Sequence, residues 1–214
     1  MKNDKSILHY AGTYFVFSLI ATVQATACAY PITASGQVLP WAYRPKPLKR
    51  QEAQIITIST AGDCTLGTDY RFPYKRSFLD VFKKHGNDPA YNFSNVLPIF
   101  AEDDLTLVNL EGTLTTAKTP REKAFVFKGP PEYRDILVKG SIEVVNLSNN
   151  HIYDYGEKGF RDTIANLEEA GVAYCGEGHR AVKTIKGVKI GFLGYGGWSA
   201  SRSLKDTIQE DIAS

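Results

Sequence analysis

The chain has 214 residues, 43% of them hydrophobic and 22% charged, enough for one sizeable core plus an N-terminal extension. Its formal net charge is only +2, so a nucleic-acid partner is not expected. The charge is uneven: residues 1–50 hold six Lys/Arg and one Asp, while the remainder holds 19 Lys/Arg against 22 Asp/Glu, so the folded part is mildly acidic.

The extension opens with Lys2 and Lys5, continues into an apolar run from Tyr14 to Val23, and then reaches Ala25-Thr26-Ala27. A basic start, a short apolar stretch and an A-x-A site mark a secretory signal. The run is short for a membrane-spanning helix, which needs about 20 apolar residues. Two other readings stay open. Cys28 is a lipidation candidate, although Ala25 stands where a leucine is usual, and the segment is also a candidate uncleaved anchor. Residues 1–29 are therefore read as a signal peptide or membrane anchor. Residues 30–53, with Pro40, Pro45 and Pro47, read as a Pro-rich linker. The protein is expected to be exported to the cell surface or periplasm, with membrane or lipid anchoring as a variant.

The folded domain is placed at 54–214. Gln54–Ser59 is β-rich and runs into a turn at Ala61-Gly62. Phe93, Val96, Leu97 and Phe100 have helical spacing over 92–101. Leu105–Leu110 reads as a second strand, 131–138 as a short helix and Glu143–Leu147 as a third strand. Over 157–170, Phe160, Ile164 and Leu167 share one helical face that stops at Gly171. Val172–Cys175 is a fourth strand, and Lys186-Gly187 joins 181–185 to 188–193 as a hairpin. Strands alternating with helices give an α/β domain with a mostly parallel sheet. Of three cysteines, Cys64 and Cys175 could pair in an exported protein, but they read better as two free, half-buried thiols. No CxxC or Cys/His zinc spacing exists.

Three strands end in polar groups: Gly62-Asp63, Glu111-Gly112 and Asn149-Asn150-His151, with Asp154 just beyond. Ligands of open α/β sheets bind outside the carboxyl ends of the strands. Asp63, Glu111, Asn150 and His151 could therefore converge at one edge. Two carboxylates, an amide oxygen and an imidazole suit Mn, Fe, Mg or Zn. Each residue alone has an ordinary explanation: a turn aspartate, a solvated glutamate, a capping asparagine, a structural histidine. The joint placement after three strands is what raises the site above those readings.

From about Ile55 onward the chain resembles the CapA family of capsule-synthesis (poly-γ-glutamate biosynthesis) proteins. The resemblance rests on Ala61-Gly62-Asp63, Val108-Asn109-Leu110-Glu111-Gly112, Asn146-Leu147-Ser148-Asn149-Asn150-His151, Asp154-Tyr155-Gly156 and Ile190-Gly191-Phe192-Leu193-Gly194-Tyr195. It implies a calcineurin-like metallophosphoesterase fold, an α-β-β-α sandwich of which this chain holds the N-terminal part. It implies metal ligation by Asp63, Glu111 and Asn150, and a hydrogen-bond donor or general acid in His151. Asn109, Asn149 and Asp154 would support them from behind. The implied function is an accessory role in making or exporting an anionic capsule polymer beside other synthesis or export proteins at the membrane. A metal-dependent phosphoesterase acting on a phosphorylated or polymeric substrate, and a non-catalytic fragment, are the alternatives. Thr65 stands where many such phosphoesterases carry a histidine, and no histidine follows His179. The domain is thus expected to be incomplete, and the chain alone is not expected to be a competent enzyme.

Overall fold

The computed structural model describes residues 54–196 and 202–213, together with Ile20–Ala21. The readings made for the rest of 1–53, signal, lipidation site and linker alike, lie outside the described residues. In chain order the strands are β1 (Ile20–Ala21), β2 (Ile58–Cys64), β3 (Leu105–Leu110), β4 (Thr113–Leu114), β5 (Lys128–Gly129), β6 (Val144–Asn146), β7 (Ala173–Cys175), β8 (Arg180–Ile185) and β9 (Val188–Leu193). The helices are α1 (Phe78–Lys84), α2 (Leu97–Phe100), α3 (Arg134–Lys139), α4 (Gly156–Ala170) and α5 (Arg202–Ala213).

Strands β2, β3, β6 and β7 form a parallel sheet in the order β2-β3-β6-β7. Side chains alternate across it, so each strand feeds two cores. Val108, Leu110, Val145 and Leu147 point to one face, where they meet Phe82 of α1, Ile136 and Leu137 of α3, and Phe160 and Leu167 of α4. Leu105, Leu107, Val144 and Cys175 point to the other, where Ala181, Ile185, Ile190 and Phe192 of the β8–β9 hairpin cover them. The result is three layers: helices, a mainly parallel sheet and a second sheet. Burying each large aliphatic side chain contributes about 1.5–3 kcal/mol, which makes these two cores the main source of stability. Ile20 and Ala21 extend the hairpin sheet, pairing antiparallel with Gly191 and Ile190.

Local chemistry explains most boundaries. Gly171 ends α4 at φ 73, a left-handed turn that costs a glycine little. Lys186 and Gly187 both take positive φ, as a two-residue hairpin turn requires. Three expectations need correction. The first strand does not stop at Ala61-Gly62; it bulges between Thr60 and Asp63 and then resumes pairing, Asp63 with Asn109 and Cys64 with Leu110. Gly62-Asp63 is therefore strand, not turn, because the ladder to β3 is recovered after the irregularity. The helix expected over 92–101 shrinks to Leu97–Phe100, since Pro98 has no N–H to donate and is tolerated only in a first turn. Helix α1 was not anticipated, although Ser77 caps it by accepting from the Asp80 N–H at 3.2 Å, a pattern readable as Ser-x-x-Asp.

Candidate functional site

The carboxyl ends of β2, β3 and β6 lie side by side, and register decides which side chains meet there. Asp63 pairs with Asn109, and Asn109 with Asn146. Partners in register share a face, so the three form one polar row on the hairpin side of the sheet. Asn146 Nδ2 donates to Asn109 Oδ1 at 2.9 Å, and Asn109 Nδ2 donates to Asp63 Oδ1 at 2.8 Å. Asn149 adds a second donor to Asn109 Oδ1 at 3.1 Å and also donates to the Leu110 carbonyl at 2.9 Å. The amide orientations follow: an ionised carboxylate only accepts, so Asn109 must turn its NH2 to Asp63 and its oxygen to the other two asparagines.

Backbone packing closes over this row. Asn146 is 1% exposed, and its Oδ1 accepts from the Ser148 N–H at 3.1 Å. A side chain on Gly194 would collide with that Oδ1, and one on Gly176 would come within 2.6 Å of the Ser148 nitrogen. Both glycines are thus needed where the ends of β7 and β9 press on the row.

His151 is placed by a different set of contacts. Asn149 Oδ1 accepts from its N–H at 2.9 Å, an Asx-type turn that lifts the imidazole toward Glu111. Its Nδ1 lies 2.6 Å from Asp154 Oδ2, and its Nε2 lies 3.8 Å from Glu111 Oε1. The first is a hydrogen bond and the second is too long to be one. Asp154 as acceptor puts the proton on Nδ1 and leaves Nε2 facing Glu111. The Phe127 ring covers the imidazole at 4.5 Å between centroids. Glu111 is held from its other side by Thr65 Oγ1, which donates to Oε2 at 3.0 Å.

Asp154 is fully buried and serves as the hub of a strap formed by residues 116–127. It accepts from Lys123 Nζ at 2.5 Å and from the Phe127 N–H at 2.7 Å, while its carbonyl accepts from the Arg121 N–H at 2.7 Å. Lys123 Nζ also reaches the Asn150 carbonyl at 2.6 Å. The strap's far end is braced by Asp69, which accepts from Arg71 Nε and from the Val126 N–H. The Arg71 guanidinium beside it holds the Asp69 carboxyl down at about 2.

Of the residues singled out in the sequence, Asp63, Asn109 and Asn149 join one network, and Glu111, His151 and Asp154 form a second beside it. Asn150 stands apart: the residue is exposed, and its recorded contact is through its backbone carbonyl. Among the described residues, no three His, Cys, Asp or Glu side chains are grouped closely enough to hold a metal ion by themselves. Asp63 and Glu111 each keep one carboxylate oxygen clear of the hydrogen bonds described. A divalent ion there would use those two oxygens and complete its shell from amide oxygen or water, as hard cations accept. Asn146 was missed, though its place at a strand end level with Asn109 is a signal. Lys123 and Phe127 were also missed, and nothing in their local sequence marks them. Cys64 and Cys175 are free, on opposite faces of the sheet and on its two edge strands. Burial pushes both thiols up to about 12.

Comparison with known proteins follows the same residues. The family described as bacterial capsule synthesis protein PGA_cap matches residues 57–212, which carry the whole site. The capsule biosynthesis protein CapA of Bacillus anthracis is 28% identical over 160 residues, 70% of this chain and 36% of that protein. The PGA biosynthesis protein CapA of Bacillus subtilis (strain 168) is 26% identical over 158 residues, 69% of this chain and 39% of that protein. A probable polyglutamine synthesis accessory protein of Mycobacterium tuberculosis is 36% identical over 76 residues, 35% of this chain and 20% of that protein. The matched part thus spans well under half the length of these relatives. With a match over most of its length, the chain belongs to the bacterial capsule synthesis protein family.

Proposed function

We propose that this protein is an accessory component in making or exporting an anionic capsule polymer of the poly-γ-glutamate type. In this reading it works outside the cytoplasm, at the cell surface or in the periplasm. It acts beside membrane-bound synthesis or export proteins, and its N-terminal extension delivers or anchors it. One observation carries the reading: the family match covers the region that holds the polar row and the His151 cluster together, and the matched relatives are named for capsule or polymer synthesis. Disruption of the gene followed by measurement of surface polymer tests it. Loss of polymer, restored by the intact gene, is the expected result, and unchanged polymer overturns the proposal.

A second reading, a metal-dependent phosphoesterase, is favoured by the closeness of His151 to Glu111 beside the Asp63 row. A divalent ion such as Mn, Fe, Mg or Zn would lower the pKa of a bound water and polarise a phosphoryl oxygen. Asp63 and Glu111 would hold it. His151, oriented by Asp154 through Nδ1, would donate from Nε2 to a substrate phosphate when the ring carries both protons. The measurement is metal content after incubation with Mn and desalting. Retained metal that is lost in the Asp63→Asn/Glu111→Gln double variant supports the reading, and an intact protein that retains none sinks it.

A further inference from the structure

Outside the His151 cluster, the chain carries a second concentration of unusual groups. Tyr70, Phe72 and Phe125 are each about half exposed, at 51%, 51% and 53%. Phe72 and Phe125 come from segments 53 residues apart yet stack with centroids 5.6 Å apart and an interplanar angle of 19°. Beneath them sits a rigid brace. Arg71 grips Asp69 at 2.5 Å and donates to the carbonyls of Lys123 and Ala124 at 3.0 and 3.1 Å. An aromatic pair held so firmly at the surface, with so much of it in water, gains little for the fold and suits a ligand surface.

The neighbouring charges are cationic. Residues 70–76 hold Arg71, Lys75 and Arg76 with no acidic residue, and 116–128 hold Lys118, Arg121, Lys123 and Lys128 against Glu122 alone. This contrasts with the acidic balance of the domain as a whole. Lys128 is the telling member. Its ammonium lies 5.1 Å from the Tyr70 ring centre and 4.7 Å from that of Tyr155, and it donates to the Ala117 carbonyl at 2.6 Å. Among the described residues, neither Lys128 nor Lys118 forms an ion pair with a carboxylate. Next to Lys128 opens a cavity of about 470 Å³ lined by Thr116, Ala117, Lys118, Thr119, Tyr155 and Lys158. Lys158 is paired with Asp162 at 2.8 Å, so the Lys118 ammonium, with Lys128 alongside and the threonine hydroxyls, supplies the donors and positive charge that this depression offers an anion.

We propose that this surface is a binding track for an extended polycarboxylate chain, with carboxylates held at the Lys118–Lys128 depression and the chain's methylene and amide stem lying across Tyr70, Phe72 and Phe125. The proposal rests on the capsule-polymer reading above and gives it a location. Two features select a polycarboxylate over a plain anion: cationic donors lie beside flat apolar surface, with Lys128 over the Tyr70 ring, and Phe125 and Lys128 belong to the segment whose Phe127 covers His151. Phe125 and Lys128 flank Phe127, whose ring covers the imidazole, so a chain on this track is led toward the candidate site.

Affinity electrophoresis of the purified full chain through gels containing sodium poly-γ-glutamate tests this. The intact protein is expected to be retarded. Lys118→Ser/Lys128→Ser and, separately, Phe72→Ser/Phe125→Ser are each expected to weaken retention about tenfold or more, the scale of one charge-assisted contact. Lys118→Arg should keep retention, and Lys139→Ser, on the far helix α3, should not alter it. Unchanged circular dichroism and melting of the variants exclude unfolding as the cause. Retention by the intact protein that survives both double substitutions overturns the placement while leaving the capsule reading standing. No retention of the intact protein overturns the track, and the gene disruption then judges the capsule reading separately. Equal retention in polyphosphate gels, or binding only to phosphatidylglycerol vesicles, also overturns it, the latter by assigning the surface to a membrane.

Discussion

The polar row and the strap meet at the same edge of the sheet but are held by opposite means. Asp63, Asn109 and Asn146 are aligned by strand register, each supplied by a ladder that the hydrophobic cores already secure. The strap around Asp154 has short strands only at its ends, β4 and β5, and depends on one buried carboxylate to gather Lys123, Phe127 and His151. In the first region neutral amides share hydrogen bonds along a chain that ends on the part-buried Asp63 carboxylate, and losing one amide leaves the backbone in place. In the second a charge is desolvated completely, and it is tolerable only because every partner is present. The supports of the candidate site are thus unequal: a rigid floor and a wall hung from two buried carboxylates, Asp154 as its hub beside His151 and Asp69 at its far end.

Unequal support means unequal cost. Asp154→Ala should be the most damaging change, at about 3–5 kcal/mol, because it strands Lys123 and frees the strap together. Urea unfolding measures this, and loss of under about 1 kcal/mol would mean the strap does not depend on its hub. Asn109→Leu should cost less, about 2 kcal/mol, by removing the acceptor that Asn146 and Asn149 share and the donor to Asp63. A cost equal to that of Asp154→Ala would abolish the distinction between floor and wall.

Acid sharpens the comparison further, since the strap alone is braced by Asp69. The Asp69 carboxyl is held at about 2 when folded, against an ordinary 3.8. A depressed carboxyl contributes stability that is fully present above the unfolded value and lost as pH falls through the folded one. Between about pH 4 and 2, the intact protein should therefore lose stability more steeply than Asp69→Asn, as read from melting temperature against pH. Parallel curves would remove Asp69 as a brace. The smallest effect is expected on the hairpin behind the row. Gly187 sits at φ 81 with open space around it, so Gly187→Ala should cost about 1 kcal/mol, all of it backbone conformation. A larger loss would show that the hairpin bears on the floor more heavily than its packing suggests.

The amino-acid sequence by itself determined the α/β class, the hairpin turn at Lys186-Gly187, the end of α4 at Gly171 and the polar residues at three strand ends. All are local: they follow from side-chain period, from the backbone freedom of glycine and from where apolar runs stop. Even the misplaced end of β2 has a local cause, since Gly62-Asp63 favours a turn and only pairing with β3 carries the strand past it. The tertiary structure decided which groups touch. Asn109 faces Asp63 because two strands far apart in sequence share a register. Lys123 reaches Asp154 because the strap folds back over the His151 loop, a closure with no local pattern to announce it. Asn150, promising in sequence, was set apart because the turn that lifts His151 leaves its neighbour at the surface. Short-range preferences shape the elements, but which side chains converge is settled by packing between segments whose separation hides them from one another in the linear chain.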